Sequence, residues 1–142
     1  MNLLLLGGTG NISRWFVPRL LDAGHGVTLY NRGLRTVPGL ERAKTLVGDR
    51  TDYPRFERQM AEAGLFDCVI DMVGFEPADA ESAVRAFRGR VGQFIFCSTV
   101  DVFPKRPLAY PIRETDALGA SPTFPYAFKK VRMEEIFWQA HE

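Results

Sequence analysis

The chain has 142 residues, of which 46% are hydrophobic and 25% charged, and its formal net charge is +1. These values are typical of one soluble globular domain that is long enough to bury a substantial core. The near-neutral charge gives no support to general binding of nucleic acid or of a membrane surface, so neither partner is expected. The apolar run at residues 3–6 is too short to span a membrane and lacks the flanking features of a signal peptide.

Two cysteines and two histidines are the candidate redox or metal-binding residues. Cys68 and Cys97 each lie in an apolar run, without C-x-x-C spacing and without a neighbouring histidine, so both are interpreted as buried free thiols. His25 and His141 are far apart in the sequence and belong to no metal-ligand pattern. We therefore expect no metal and a reducing, cytoplasmic setting.

Apolar runs alternate with amphipathic segments along the chain. Strands are predicted at residues 3–6, 27–30, 43–47, 67–73 and 93–98, and helices at residues 14–23, 53–63, 77–87 and 125–142. The second, fourth and fifth runs are nearly continuous in apolar residues, as expected of strands that are covered on both faces. This alternation predicts one α/β domain over residues 1–142, a doubly wound parallel sheet with strand order 3-2-1-4-5. Its ligand crevice is expected where strands one and four diverge.

A glycine-rich turn joins the first strand to the first helix. It consists of Gly7, Gly8, Thr9, Gly10, Asn11 and Ile12, followed by Ser13 where a third glycine is usual. Strand, glycine turn and helix form the first unit of a dinucleotide-binding fold. A pyrophosphate lies there against the helix N-terminus, and a side chain at Gly7 or Gly10 would obstruct the turn or the phosphate. A turn with a purely structural role is the alternative.

Other candidate cofactor contacts follow the later strands. Asn31 and Arg32 stand where an acidic residue usually binds the ribose of NAD, and an amide followed by arginine favours NADP instead. The alternative is a solvated loop arginine. Asp49 follows the third strand and has two interpretations, an acceptor for the adenine amino group or a turn residue. At the end of the fourth strand, Val73 and Gly74 would allow close backbone approach to the cofactor.

The last helix carries a tyrosine and a lysine four residues apart. Tyr126 and Lys130 therefore lie on one face, and Ser98 and Thr99 end the fifth predicted strand. A tyrosine has a pKa of about 10, and a neighbouring ammonium together with the nicotinamide charge favours its phenolate. Tyr126 would then accept or return a hydroxyl proton during hydride transfer, while Thr99 holds the substrate oxygen. The alternative is a half-buried tyrosine beside a surface lysine.

Together these segments resemble the extended short-chain dehydrogenase/reductase family, in particular its NAD-dependent epimerase/dehydratase group. The similarity lies in residues 7–12, 31–33, 48–50, 96–103 and 126–130. It implies Thr99, Tyr126 and Lys130 as catalytic residues. It adds Arg50, Ser98 and Lys130 to the cofactor contacts. The expected cofactor is NADP, which Asn31 and Arg32 favour, or NAD. The implied substrate is a nucleotide sugar or a related hydroxyl or carbonyl compound, and the implied reaction is epimerisation, dehydration or reduction.

Members of this family continue for about as many residues again, which supply the last strands of the sheet and a substrate-binding domain. The 142 residues are therefore expected to be the N-terminal portion, with the fifth strand as an uncovered apolar edge. Four apolar residues have two interpretations, a homodimer contact or the core, and we favour the core: Val84, Phe87, Ile136 and Phe137.

A different class of function is also open. A non-catalytic NADP-binding or sensor domain would need the glycine turn and Arg32 but no activated tyrosine. RNA-binding relatives offer a third interpretation, which the net charge of +1 does not favour.

Overall fold

The computed structural model describes residues 1–106 and 110–141. Its strands are β1 (Asn2–Leu6), β2 (Gly26–Asn31), β3 (Lys44–Val47), β4 (Phe66–Asp71) and β5 (Val91–Phe96). Its helices are α1 (Ser13–Asp22), α2 (Tyr53–Glu62), α3 (Pro77–Phe87) and α4 (Pro125–His141), with a short 3₁₀ turn at Val100–Val102. Every predicted strand and helix is present, and position 142, the predicted end of α4, lies outside the described residues.

The five strands form one parallel sheet in the order β3-β2-β1-β4-β5, which confirms the predicted fold class and strand order. The central strand β1 pairs with β2 on one side and β4 on the other, so that Leu6 lies opposite both Tyr30 and Asp71. Because all strands are parallel, their carboxyl ends meet at one edge of the sheet. The loops after β1, β2, β3 and β4 are therefore brought together there.

The central strand is apolar throughout because both faces of the sheet are covered. Leu4 and Leu6 belong to the core beneath α2 and α3, while Leu3 and Leu5 belong to the core beneath α1. None of these leucines is more than 4% exposed. Burying each one stabilises the fold by about 1.5–3 kcal/mol. The continuous apolar run of β1 thus encodes a buried strand.

Helices α2 and α3 lie side by side on one face and are joined by polar contacts. Asp52 caps α2 by accepting a hydrogen bond from Arg55 N at 3.3 Å. Glu57 Oε1 accepts from Ser82 Oγ at 2.9 Å and from Arg85 Nη2 at 2.8 Å. These hydrogen bonds link the two helices at the surface of the core.

The ends of β4 and β5 differ from the prediction. The fourth strand ends at Asp71 because the Asp71 carboxylate accepts a hydrogen bond from Val73 N at 2.9 Å and turns the chain. The fifth strand ends at Phe96, and Thr99 instead begins the 3₁₀ turn. Among the described residues, strand β5 pairs with β4 alone and lies at the edge of the sheet, as expected. Along it Ile95 is 41% exposed, so the expectation that both faces of β5 are covered is wrong.

Four apolar residues were predicted to belong either to the core or to a homodimer contact, and the structure buries them to different extents: Val84, Phe87, Ile136 and Phe137. Phe87 is 4% exposed, and the Phe137 ring lies 4.9 Å from the Phe94 ring. Val84 and Ile136 are half-buried. A role of this surface in a homodimer stays a prediction.

Within the described residues, none of the helices combines the length and the apolar composition needed to cross a bilayer.

Candidate functional site

A cleft of about 610 Å³ opens at the carboxyl edge of the sheet, where the loops after β1 to β4 converge. Most of the predicted cofactor contacts line it: Gly7, Gly8, Thr9, Gly10, Asn11, Ile12, Asn31, Arg32, Asp49, Arg50 and Val73. Gly74, Ser98 and Lys130, also predicted as cofactor contacts, lie outside this lining. The sequence pattern therefore located one coherent cavity.

The first two glycines of the turn are required by the fold. Gly7 has a φ of +104°, and a Cβ there would lie 2.9 Å from Val73 Cγ1. Gly8 has a φ of +88°, and its Cβ would lie 2.6 Å from Leu29 Cδ2. Only glycine adopts such backbone angles without strain, so these two positions need no ligand to explain them.

Gly10 differs from the other glycines. Among the thirteen glycines of the sequence, all within the described residues, it alone has neither a positive φ nor an atom within 4 Å of the position of its Cβ. It lines the cleft, so a methyl group there would occupy cleft space rather than touch the protein. The fold does not require glycine at this position, whereas a ligand that approaches the backbone closely would.

The N-terminus of α1 lies at the same wall of the cleft. Ile12 precedes the helix, and within the described part of the chain no side-chain hydrogen bond caps it and no acidic residue occupies its first turn. The positive end of the helix dipole is thus left without a protein anion, which is the arrangement that binds phosphate groups.

The loops after β2 and β3 form the opposite wall. Asn31 Oδ1 accepts a hydrogen bond from Gly33 N at 2.8 Å, which shapes the turn that places Arg32 in the lining. Arg35 lines the cleft as well. The pKa of Asp49 is lowered by hydrogen bonds from Thr51, with a smaller contribution from the Arg32 guanidinium. Asp49 therefore remains ionised while it stabilises its own turn.

The absence of a side chain at Gly48 lets the Tyr30 hydroxyl pack against the backbone in the lining of the cleft. A Cβ on Gly48 would lie 2.2 Å from the Tyr30 hydroxyl oxygen, and that hydroxyl donates to Gln59 Oε1 at 3.0 Å. Several lining residues were not predicted as contacts: Tyr30, Leu34, Thr51, Met72 and Phe75. The only sequence signal for them is their position at or soon after the end of a strand.

Lys130 is buried in the last helix rather than exposed. It is 2% exposed, and its Nζ donates hydrogen bonds to Gly74 O at 2.8 Å and Cys97 O at 2.6 Å. These contacts, which we call the Lys130 clamp, join α4 to the segments that follow β4 and β5. Burial lowers the pKa of Lys130 because the protein interior disfavours its charged form.

Tyr126 lies on the same helix face but remains open to solvent. It is 39% exposed, and Lys130 Nζ lies 5.9 Å from the centroid of its ring. The alternative of a surface lysine beside Tyr126 is therefore wrong. The structure brings these two predicted catalytic residues together, with the aromatic ring next to the buried ammonium.

The hydroxyl groups after β5 are engaged by other protein groups. Thr99 Oγ1 accepts a hydrogen bond from Asp101 N at 3.3 Å and lies 3.4 Å from the Asp101 carboxylate. Ser98 Oγ donates to the carboxylate of Glu134 on α4. Their roles toward a ligand stay predictions, as does the role of Gly74, whose missing side chain makes room for Met133 Cε.

Arg50 reaches the cleft lining, yet its side chain is directed into the protein. It is 7% exposed, its guanidinium carbon lies 4.0 Å from the Phe56 ring centroid, and its Nη2 donates to Asp79 O at 2.5 Å. A cofactor contact from Arg50 stays a prediction. Its burial among acidic residues was not indicated by the sequence.

A parallel sheet of this order, with a glycine turn and a helix N-terminus at its carboxyl edge, defines a Rossmann-type dinucleotide-binding fold. The sequence profile of the NAD-dependent epimerase/dehydratase family matches residues 3–142, and the chain belongs to this family.

Two curated proteins illustrate the range of the relatives. The chain is 31% identical over 129 residues to the chloroplast stem-loop binding protein of 41 kDa b of Arabidopsis thaliana, covering 82% of this chain and 33% of that protein. It is 30% identical over 135 residues to 2′-dehydrokanamycin reductase of Streptomyces kanamyceticus, covering 95% of this chain and 37% of that protein. The chain thus spans about a third of the length of these relatives.

Solved epimerase structures share the fold. UDP-glucose 4-epimerase from Brucella ovis, in complex with NAD, superposes with a TM-score of 0.78 at 22% identity over 97% of this chain and 47% of that one. The UDP-Glc/GlcNAc 4-epimerase from Campylobacter jejuni superposes with a TM-score of 0.83 at 18% identity over 98% of this chain and 48% of that one. The chain corresponds to about half of each structure.

Proposed function

We propose that the chain is the dinucleotide-binding portion of an NAD(P)-dependent oxidoreductase of the epimerase, dehydratase or reductase type. Membership of the NAD-dependent epimerase/dehydratase family supports this class of chemistry. The observation that carries the proposal is Gly10, whose missing side chain leaves cleft space free beside the uncapped N-terminus of α1. A pyrophosphate is the group that such a turn accommodates.

The second part of the proposal is a preference for NADP over NAD. No acidic residue ends β2, where NAD-binding folds place one for the ribose hydroxyls. Asn31 occupies that position, and Arg32 and Arg35 line the same wall. A guanidinium is suited to a ribose 2′-phosphate because it combines a permanent charge with a fork of donors.

A bound nicotinamide would supply the hydride acceptor or donor, and a side chain on α4 would transfer the proton of the substrate hydroxyl. We propose that Tyr126 accepts or returns the proton of the substrate hydroxyl. Its accessible ring can reach a substrate, and the Lys130 ammonium lies 5.9 Å from the centroid of that ring. Thr99 would turn its hydroxyl from Asp101 toward the substrate oxygen, which its long 3.4 Å contact permits.

The proposed substrate is a nucleotide sugar or a related hydroxyl or carbonyl compound. Solved structures of the same fold include enzymes that act on UDP-sugars, and the curated relatives include a reductase. The chain spans about half of those structures, so the substrate proposal concerns the whole protein to which such a portion belongs.

A non-catalytic dinucleotide-binding domain is the second candidate, and one observation favours it. In the described residues, Lys130 directs its ammonium to two backbone carbonyls, while Ser98 and Thr99 direct their hydroxyls to Glu134 and Asp101. These contacts stabilise the fold without any catalytic role. The Arabidopsis relative is named for stem-loop binding, so an RNA-associated domain is kept as a variant of this candidate, although the net charge of +1 does not favour it.

Titration of NADP⁺ and NAD⁺ by calorimetry tests the cofactor proposal. We expect Gly10→Ala to weaken binding of both dinucleotides by about tenfold or more, equivalent to about 1.4 kcal/mol. Gly26→Ala is the matched control because Gly26 begins β2, at the end of that strand away from the cleft. It has an ordinary φ, and no atom lies closer than 3.8 Å to the position of its Cβ. Binding of neither dinucleotide to the wild type, or equal binding by both variants, would contradict the proposal.

Turnover separates the two candidates. The whole protein to which this portion belongs, as wild type and as Tyr126→Phe, is incubated with NADP⁺ or NAD⁺ and a panel of UDP-sugars, and cofactor reduction and sugar epimerisation are followed. A catalytic Tyr126 predicts a loss of about 10²–10⁴-fold in the variant with unchanged dinucleotide affinity. Dinucleotide binding without any turnover by the wild type would favour the non-catalytic domain.

A further inference from the structure

Four charged residues are buried together beneath the cleft. Arg50 follows β3, Asp71 ends β4, Asp79 lies on α3 and Lys130 lies on α4, and none of them is more than 7% exposed. Buried charges are rare unless they are paired, because removal from water is costly. Arg50 Nη2 lies 3.7 Å from Asp71 Oδ2 and donates to the backbone oxygen of Asp79.

These side chains hold the backbone of the loop between β4 and α3, residues 72–76. Asp71 Oδ1 accepts from Val73 N at 2.9 Å. Asp79 Oδ2 accepts from Phe75 N at 2.8 Å and from Glu76 N at 2.9 Å. Lys130 Nζ donates to the carbonyl of the intervening glycine at 2.8 Å. Successive backbone groups of the β4–α3 loop are therefore bonded to buried charged side chains.

The β4–α3 loop is also a wall of the cleft. Met72, Val73 and Phe75 line it. Val73 Cγ1 lies 2.9 Å from where a Cβ on Gly7 would be, so Val73 packs directly on the glycine turn. On the other side, Met133 Cε lies 2.7 Å from the Cβ position of Gly74. The loop has no free space toward the turn or toward α4, and its position sets the width of the cleft.

We propose that Asp71, Asp79 and Arg50 are positioning residues that fix the β4–α3 loop in the conformation that receives the dinucleotide. This inference rests on the proposed function for the identity of the ligand. The three side chains touch the loop or each other, and act on the ligand through Met72, Val73 and Phe75. Preorganising such a wall removes the cost of ordering it when the ligand binds.

Asp71 is the centre of this arrangement. Its Oδ2 is buried without a hydrogen-bond partner among the described residues, and Asp79 Oδ1 shares this condition. Among the described residues no hydrogen bond joins Arg50 to either carboxylate, so the attraction between them is one of charge. Burial raises the pKa of the Asp71 carboxyl, which the Arg50 guanidinium opposes. Asp71→Asn would turn amide N–H groups toward Arg50 and leave Asp79 as the one aspartate of this group that compensates that cation.

Asp71→Asn tests the inference, with Asp67→Asn as the matched control. Asp67 lies at the opposite end of the same strand, is exposed, and accepts from Asn2 N. Amide hydrogen exchange is measured by NMR across residues 72–76, together with the dissociation constant for NADP⁺. We expect Asp71→Asn to accelerate exchange at Phe75 and Glu76, which Asp71 does not contact, by about tenfold or more. We expect a loss of affinity of about tenfold or more.

A second variant tests the charge balance. Arg50→Met in the Asp71→Asn background removes both charges, so it should recover part of the protection at Phe75 and Glu76 and part of the affinity. If Asp71→Asn accelerates exchange at Val73 alone, Asp71 stabilises only its own turn and the inference is overturned. Additive effects of the two substitutions would also overturn it. The control, Asp67→Asn, should change neither measurement.

Asp79→Asn keeps the inference falsifiable if Asp71→Asn fails to fold. This variant should accelerate exchange at Val73, whose amide bonds to Asp71 and not to Asp79. Unchanged exchange at Val73 would overturn the inference. If the wild type binds neither dinucleotide, the proposed function fails, while the amide exchange still decides whether the three residues fix the loop.

Discussion

The glycine at position 8 is required by the fold, because its φ is +88° and its Cβ would press on Leu29. We expect Gly8→Ala to lower the free energy of unfolding by about 1–3 kcal/mol, the cost of a strained backbone angle. Urea denaturation followed by circular dichroism measures this loss. Gly10→Ala is the control and should leave stability nearly unchanged, since Gly10 has open space and an ordinary φ. Equal losses in the two variants would contradict this division of roles.

Arg32 is the residue on which the cofactor preference depends. We expect Arg32→Asp to shift the ratio of NADP⁺ to NAD⁺ affinity toward NAD⁺ by about tenfold or more, because the carboxylate repels a 2′-phosphate and accepts from ribose hydroxyls. Isothermal titration with both dinucleotides gives the ratio. Arg58→Asp, an identical charge change at an exposed position of α2, should leave the ratio unchanged. A similar shift in both variants would indicate a general effect of charge.

The sequence predicted those cleft residues that directly follow a strand along the chain. The glycine turn and Arg32 directly follow strands, so their place at the cleft could be inferred from order along the chain. The burial of Arg50 against Asp71 and Asp79 could not be inferred in this way. These charges come from separate segments, and no periodicity marks where they meet.

Helices α2 and α3 are linked by Glu57, whose pKa is lowered by hydrogen bonds from Arg85 and then from Ser82. A carboxyl with a lowered folded-state pKa stabilises the fold above its ordinary value of 4.5 and loses this contribution as the pH falls through the folded-state pKa. We therefore expect Glu57→Gln to cost about 0.5–1 kcal/mol at neutral pH. The cost should shrink below pH 4.5.

Urea denaturation at several pH values measures this difference. Glu62→Gln is the matched control, because Glu62 is an exposed carboxylate at the end of the same helix. Its effect should be small and nearly independent of pH. A cost of Glu57→Gln that grows as the pH falls would contradict the assignment of the link between α2 and α3.

The existence and order of the elements followed from hydrophobic patterning, while their ends depended on side-chain contacts. The apolar run at residues 67–73 predicted a strand that ends two residues later than β4, which ends earlier because Asp71 turns the chain by accepting from Val73 N. Similarly, β5 begins at Val91, before its apolar run, because Val91 pairs with Phe66. Such pairing is a tertiary property and leaves no local pattern.

Across the whole molecule, β5 is the apolar edge of the sheet. A groove of about 510 Å³ lies beside it, with aromatic residues of α3, β5 and α4 in its lining, including Phe87, Phe94 and Phe137. An apolar edge strand favours association between chains. We expect Ile95→Lys, at a position that is 41% exposed, to reduce concentration-dependent self-association of the 142-residue chain.

Sedimentation velocity over a range of protein concentrations measures this association. Thr45→Lys on the opposite edge strand, β3, is the control, because that edge already carries exposed polar residues. It should leave the sedimentation profile unchanged. Equal effects of the two lysines would show that net charge, and not the β5 edge, controls association.

The hydrogen bonds of the Lys130 clamp can form only after α4 has been synthesised. The carbonyls of Gly74 and Cys97 are both made before α4, yet their hydrogen-bond donor is a side chain on the second turn of that helix. Domains form as their segments leave the ribosome, N-terminal parts first. The glycine turn, the sheet and the hydrogen bonds from Asp71 and Asp79 can therefore form early, whereas the β4–α3 loop gains its bond to Gly74 O only when α4 docks. A nascent chain that ends before α4 should leave residues 72–76 more open to proteolysis than they are in the chain that includes α4.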